Sequence, residues 1–292
     1  MFREKFILQV LILLIIFISA GCEDEQINWQ TESTPEMLVV EGSLTNELKH
    51  HKVILTKTAD YFLNEKTPRV SGARVRVISS ADTISYREDP EKSGIYLTED
   101  AVAGQTGRTY TLDIRLQDPI HGQTHYQASE AMIRGMVLDT IHAAMYENPL
   151  YVEQSPMDSM ILYLSAYGEE PKDIRNYYAV DLFRNGESIR DTIDEVDIYS
   201  DTEELEGRYV NHFFFFESFE PGDTVALELS TVSKSFRNYL EGIKEIANQS
   251  GNPFNLSGPP ANARGNIQGD HAMGYFRVSH VTRAQTIVQR EQ

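Results

Sequence analysis

The sequence predicts an all-β, mainly antiparallel protein: two successive β-sandwiches, the second carrying one amphipathic helix. Three observations predict it. Apolar and polar residues alternate with a period of two in run after run, as in strands with one wet face. Turn-forming residues separate these runs at roughly 8–12 residue spacing. Only one stretch, near residues 233–250, repeats its apolar residues at helical spacing.

The N-terminal domain is read over residues 37–134. "MLVVEG" is a short apolar run closed by Gly42, and "HKVILTK" follows a polar stretch. In "GARVRVI", Ala73, Val75 and Val77 alternate with Arg74 and Arg76. "TYTLDIRL" alternates more cleanly, with Tyr110, Leu112, Ile114 and Leu116 on one face. Asp118-Pro119 and Gly122 mark a turn before "THYQAS".

The C-terminal domain, residues 135–292, continues in strands. "MILYLSAY" and "YYAVDLF" lead to Asn185-Gly186, a strong two-residue hairpin signal, and then to "ESIRDTI". "HFFFFESF" and "TVALEL" flank the Pro221-Gly222 turn, and Phe213 to Phe216 read as a strand buried on both faces. Phe236, Tyr239, Leu240, Ile243, Ile246 and Ala247 form the helical stripe, which Gly251 and Pro253 end.

Before either domain, residues 1–22 read as an export signal. Arg3 and Lys5 precede the apolar run Phe6 to Ala20, and Ser19-Ala20-Gly21 supplies small residues for cleavage. The run is short for a membrane span of about 20 residues, although a short anchor is the competing reading. Residues 23–36 are polar and acidic, and read as a flexible linker.

The chain carries a net charge of −18, which repels phosphate backbones, so nucleic-acid binding is disfavoured. Its only cysteine is Cys22, so no intrachain disulfide can form. No G-x-S-x-G elbow, P-loop or H-E-x-x-H motif is present, and no cofactor is expected. His121 and His125 share a four-residue spacing but sit in a turn and a strand, a poor zinc pair. Eight acids between Asp191 and Glu206 offer oxygen ligands without the glycine-turned spacing of a calcium loop, and a solvated loop is the alternative. Asp270-His271 has no identifiable nucleophile beside it. No enzyme is therefore expected.

Several stretches resemble known proteins. Ser19-Ala20-Gly21-Cys22 is similar to a bacterial lipobox, with Ser19 where Leu is usual. That resemblance implies thioether diacylglycerol and amide-linked acyl (palmitate) chains on Cys22 and a stable bilayer anchor; an ordinary secretory signal is the alternative. Glu23, Asp24 and Glu25 resemble the surface-export signal of Bacteroidota lipoproteins. Gly94-Ile95-Tyr96 with Gly104, Gly107 and Tyr110 resembles the last strands of Ig-like and transthyretin-like modules, whose turn glycines supply unusual backbone angles. Asp-Thr/Ser triplets at Thr83, Thr140, Ser159, Thr192 and Thr224 resemble Bacteroidota O-glycosylation acceptors, although strand starts look alike.

The tail resembles most. Asn252-Pro253-Phe254, Pro260-Ala261-Asn262, Asn266-Ile267 with Gly269, and Gly274-Tyr275-Phe276 are similar to the closing signature of a Bacteroidota outer-membrane lipoprotein family of unknown function. Leu38-Val39-Val40-Glu41-Gly42 fits its start. Asp270-His271 departs from the pattern, making the loop longer and more polar. A structural clasp is one role for this segment. A ligand or partner loop made of Asn252, Phe254, Asn262, Asn266, Asp270, His271 and Tyr275 is the other. The family is commonly encoded beside TonB-dependent receptors. The resemblance therefore implies a lipid-anchored surface accessory protein in nutrient capture or uptake, with a TonB-dependent receptor and the outer-membrane bilayer as partners. A surface hydrolase or peptidase, and an adhesion or envelope-structural module, are the alternatives.

Overall fold

The computed structural model describes residues 36–58, 67–148, 160–172, 174–190, 193, 196–200, 208–215, 219–250, 263 and 265–290. All of them lie in one unit, Pro35–Gln292. The first seven strands are β1 (Leu38–Thr45), β2 (Lys52–Lys57), β3 (Arg74–Ile78), β4 (Thr83–Glu88), β5 (Ile95–Thr98), β6 (Thr109–Ile120) and β7 (Gln123–Ala131). In β3 and β6 the alternation is the one read from sequence. Leu38, Val40, Val53, Leu55, Val75, Val77, Leu112 and Ile114 all point into one core, each fully buried aliphatic side chain contributing about 2 kcal/mol. Tyr96 is buried whole because its hydroxyl donates to the Val70 carbonyl (2.9 Å) and accepts from the Ala73 N–H (3.0 Å). Tyr110 likewise accepts from the Gln105 N–H at 2.7 Å.

One boundary differs from expectation. β6 runs straight through Asp118-Pro119, and the turn comes later, at His121 and Gly122 with φ of 46° and 81°. The pairing with β7 is interrupted between Arg115 and Ile120. That irregularity absorbs a proline that cannot donate to the ladder.

The next strands are β8 (Val137–Glu147), β9 (Met160–Glu169), β10 (Tyr177–Arg184), β11 (Glu187–Ser188), β12 (Asp197–Ser200), β13 (Arg208–Phe215) and β14 (Thr224–Val232). Helix α1 (Lys234–Ser250) follows, then β15 (Ala272–Ser279), β16 (Val281–Ile287) and β17 (Gln289–Arg290). Two sheets, β13-β9-β8-β17 and β11-β10-β14-β16 with β12 also on β10, face each other. Ile141, Ala143, Leu162 and Leu164 of one meet Val180, Leu182, Leu227 and Leu229 of the other. The Asn185-Gly186 hairpin forms with φ of 52° and 92°, as the type I′ geometry requires. Phe213 is buried at 2% exposure, on the strand expected of the phenylalanine run. Ser233 caps α1 by accepting the Phe236 N–H at 3.1 Å.

The chain crosses back over the boundary read at residue 134. β15 leaves the C-terminal region and pairs in parallel with β1 along eight residues, from Leu38↔Ala272 to Thr45↔Ser279. The first sheet thus has eight strands, ordered β15-β1-β2-β5-β4-β3-β6-β7. Its ends meet where the Gln268 N–H donates to the Gln127 carbonyl at 2.7 Å. After His280 the chain enters β16, in the sheet of the second sandwich. β15 and β16 therefore tie the two sandwiches together. Asn46 secures the crossing, accepting from the Val281 N–H (2.6 Å) and donating to the Val281 carbonyl (3.1 Å).

Candidate functional site

Strand alternation sends one set of side chains into each core and leaves the other set outside. On β1, β2 and β15 the outside set includes Glu41, Ser43, Lys52, Tyr275 and Arg277. On β10 and β14 it includes Ala179, Asp181, Glu228 and Ser230. The crossing at His280 sets these two faces against each other, and Phe236 and Tyr239 of α1 close one side. They enclose a cleft of about 340 Å³, at the lower end of small-ligand sites.

The charges in this cleft are unusual. Asp181 and Glu228 stand directly opposite each other on antiparallel strands, a placement that costs stability through like-charge repulsion. Asp181 accepts a bond from the Ser188 hydroxyl at 3.0 Å. Burial pushes the Glu228 carboxyl above the usual carboxylate range; the neighbouring Glu47 and Asp181 charges add to it, and Lys49 and Arg283 oppose it. Arg277 lies with its guanidinium carbon 5.4 Å from the centre of the Phe236 ring. Burial lowers its pKa, against the pull of Glu228 and Asp181. Among the described residues, no ion pair within 4.0 Å joins Glu41, Lys52, Asp181, Glu228 or Arg277 to any partner.

Of the tail residues singled out by sequence, Tyr275 reaches this cleft. Its hydroxyl donates to Glu130 Oε2 (3.0 Å) and lies 2.8 Å from Ser235 Oγ and 3.2 Å from Ser233 Oγ. Burial pushes its pKa up to about 12 against the bonds from the two serines. Its ring packs edge-on to Phe236 at 5.0 Å. Asn266 sits elsewhere, in a backbone clasp: it accepts the Phe276 N–H and donates to the Phe276 carbonyl, both at 2.9 Å. A second bond from its amide reaches Glu130 Oε2 at 3.1 Å. Asp270 is tied through its N–H to Gln123 Oε1 (3.2 Å), and the His271 carbonyl accepts the Leu38 N–H (2.9 Å). The His271 ring packs on His121 at 4.5 Å. Asn252, Phe254 and Asn262 lie outside the described residues, as do Cys22, Glu23, Asp24 and Glu25.

The remaining candidates separate. His125 bonds Asp113 (2.6 Å), not His121, and Arg76 meets the same carboxylate at 2.8 Å. Asp197, from the acidic run, lies 3.4 Å from Lys244 and 3.7 Å from Arg190; most of the run from 191 to 206 is outside the described residues. No group of three or more His, Cys, Asp or Glu among the described residues could hold a metal ion. Thr83 and Thr140 are exposed and Thr224 is half-buried, while Ser159 and Thr192 fall outside the description.

Sequence reading missed Asp181, Glu228 and Arg277. A signal was present: each is a lone charge inside an apolar strand run, in "AVDLF", "ALELS" and "YFRVS". A charge there must find solvent, a partner or a ligand.

The profile of the family described as Domain of unknown function (DUF4249) matches residues 24–285. No curated protein matches the chain. Among solved structures it is similar to the fibronectin(III)-like modules of Clostridium thermocellum CbhA, with 9% identity and a TM-score of 0.19. That match covers 87% of this chain and 94% of that one.

Proposed function

This chain belongs to the DUF4249 family, and we propose that it is an exported lipoprotein that serves as an accessory binding protein. Acyl chains on Cys22 anchor it in the outer membrane, and Glu23, Asp24 and Glu25 direct it to the cell surface. There it works with a TonB-dependent receptor in nutrient capture or uptake. The observation that carries the binding half is the charged cleft, where side chains that form no ion pair within 4.0 Å among the described residues converge beside an aromatic wall. The address is supported by the lipobox-like Ser19-Ala20-Gly21-Cys22 and the acids behind it. A hydrolase reading has Asp181 and Glu228 in its favour; the binding reading is supported by the whole set, in which Arg277 and the aromatic wall of Phe236, Tyr239 and Tyr275 face the two acids. Binding is therefore the function put forward.

Affinity capture of the tagged chain from detergent-solubilised outer membrane tests it. A TonB-dependent barrel is expected to co-purify, and Cys22→Ala is expected to leave the membrane fraction. Recovery of no receptor, together with unchanged nutrient uptake on deletion, would sink the proposal and favour an adhesion or envelope-structural module.

A further inference from the structure

We infer that the cleft between the two sandwiches binds a small zwitterion, a free amino acid or short peptide, with its carboxylate on Arg277 and its ammonium between Asp181 and Glu228. The inference deepens the binding reading above and rests on it.

Geometry decides the ligand class. Arg277 offers one face of its guanidinium to Phe236. Cation–π packing of this kind leaves the in-plane N–H groups available, and those groups match a carboxylate bidentately. Among the described residues no side chain accepts them: Arg277 forms no ion pair, and neither acid lies within 4.0 Å of it. On the other wall, Asp181 and Glu228 stand side by side as acceptors. The serine bond to Asp181 satisfies only part of their capacity.

Charge then sets specificity. A purely anionic ligand on Arg277 would meet two carboxylates, and a purely cationic one would meet the guanidinium. A ligand carrying both signs satisfies both walls at once, and unpaired partial matches are penalised. Lys52 and Glu41, exposed at the rim, repeat the same pairing of signs. Phe236, Tyr239 and Tyr275 supply an apolar surface for a side chain of the ligand.

Thermal unfolding of the purified full chain tests this, since a ligand that binds only the folded state raises Tm. The probes are a pool of free di- and tripeptides, the same pool N-acetylated, the same pool C-amidated, and a pool of neutral oligosaccharides. The free pool is expected to raise Tm, and each capped pool to bind about tenfold more weakly or worse. Arg277→Met is expected to abolish the shift from the free pool, and Glu228→Gln to reduce the penalty of N-acetylation. Should Arg277→Met fail to fold, Arg277→Lys keeps the charge without the fork and is expected to weaken binding by about tenfold. Equal shifts from free and capped pools, or no shift from the free pool, overturn the inference. If a barrel still co-purifies in that case, the accessory reading stands while the zwitterion site falls. A shift confined to the oligosaccharides overturns the ligand class and keeps the cleft as a binding site.

Discussion

Asn266 grips both backbone groups of Phe276: its Oδ1 accepts the N–H and its Nδ2 donates to the carbonyl, each at 2.9 Å. β1 occupies one edge of β15, and Asn266 takes the place of a strand on the other. Asn266→Asp keeps the acceptor but sets a carboxylate against the Phe276 carbonyl and Glu130. Asn266→Ala loses all three bonds. Each is expected to cost about 2–4 kcal/mol, because buried backbone groups are left unpaired. Urea midpoints of both variants check this; a change within a few tenths of a kcal/mol would show that the clasp carries no stability.

Gly274 sits inside β15 with φ of 93°, and a Cβ there would run into the Val40 carbonyl of β1. Gly274→Ala therefore combines a strained backbone with a clash in the parallel pairing. The expected loss is about 3 kcal/mol or more. A Gly274→Ala chain with the Tm of the parent would mean that β15 does not pack on β1 in this register.

Asp113, buried on β6, holds Arg76 and His125 together on the outer face of the first sheet. Burial alone would raise its pKa, but bonds from Arg76, His125 and Gln127 outweigh that and hold it below the ordinary 3.8. A depressed folded-state value stabilises above pH 3.8, and that stabilisation is lost as pH falls through the folded value. Asp113→Asn is expected to cost about 3 kcal/mol at neutral pH. The parent and the variant are expected to converge in acid, which denaturation curves across pH 2–7 would show.

Tyr275 joins β15 to Glu130 of β7 and to Ser233 and Ser235 at the head of α1. Removing its hydroxyl in Tyr275→Phe is expected to cost about 1–2 kcal/mol. Its folded-state pKa is raised from 10.0 to about 12, so its stabilisation is whole below pH 10 and is lost as pH climbs towards 12. Burial also raises Tyr86 and Tyr178. Alkaline unfolding is expected to begin near pH 10 in the parent, with a shallower loss in Tyr275→Phe; phenolate absorbance against pH follows it.

Among the described residues, Thr83 and Thr140 are the exposed members of the Asp-Thr triplets. If these triplets are O-glycosylation acceptors, peptides covering Thr83 and Thr140 from native-host protein carry a mass shift that Thr→Val variants lose. Unmodified peptides at every triplet would reduce them to strand starts, as Thr83 and Thr224 are in β4 and β14.

The local half of this protein is legible in its residue pattern. Period-two alternation in "RVRVI" and "TYTLDIRL" named the buried face of β3 and β6, because a strand must put successive side chains on opposite sides. Helical spacing of Phe236, Tyr239 and Leu240 named the face of α1, and Asn185-Gly186 named its hairpin through the φ values that a type I′ turn demands. The tail motif around Asn266 and Gly274-Tyr275-Phe276 reads from sequence as either clasp or loop. What it touches is set by long-range pairing: β15 lies on β1, more than 230 residues earlier in the chain. The cleft was decided the same way. Alternation assigns Asp181, Glu228 and Arg277 to the face away from the core, and says nothing about which other sheet that face will meet. That depends on β15 and β16 crossing between sandwiches at His280, a long-range pairing that no local period encodes.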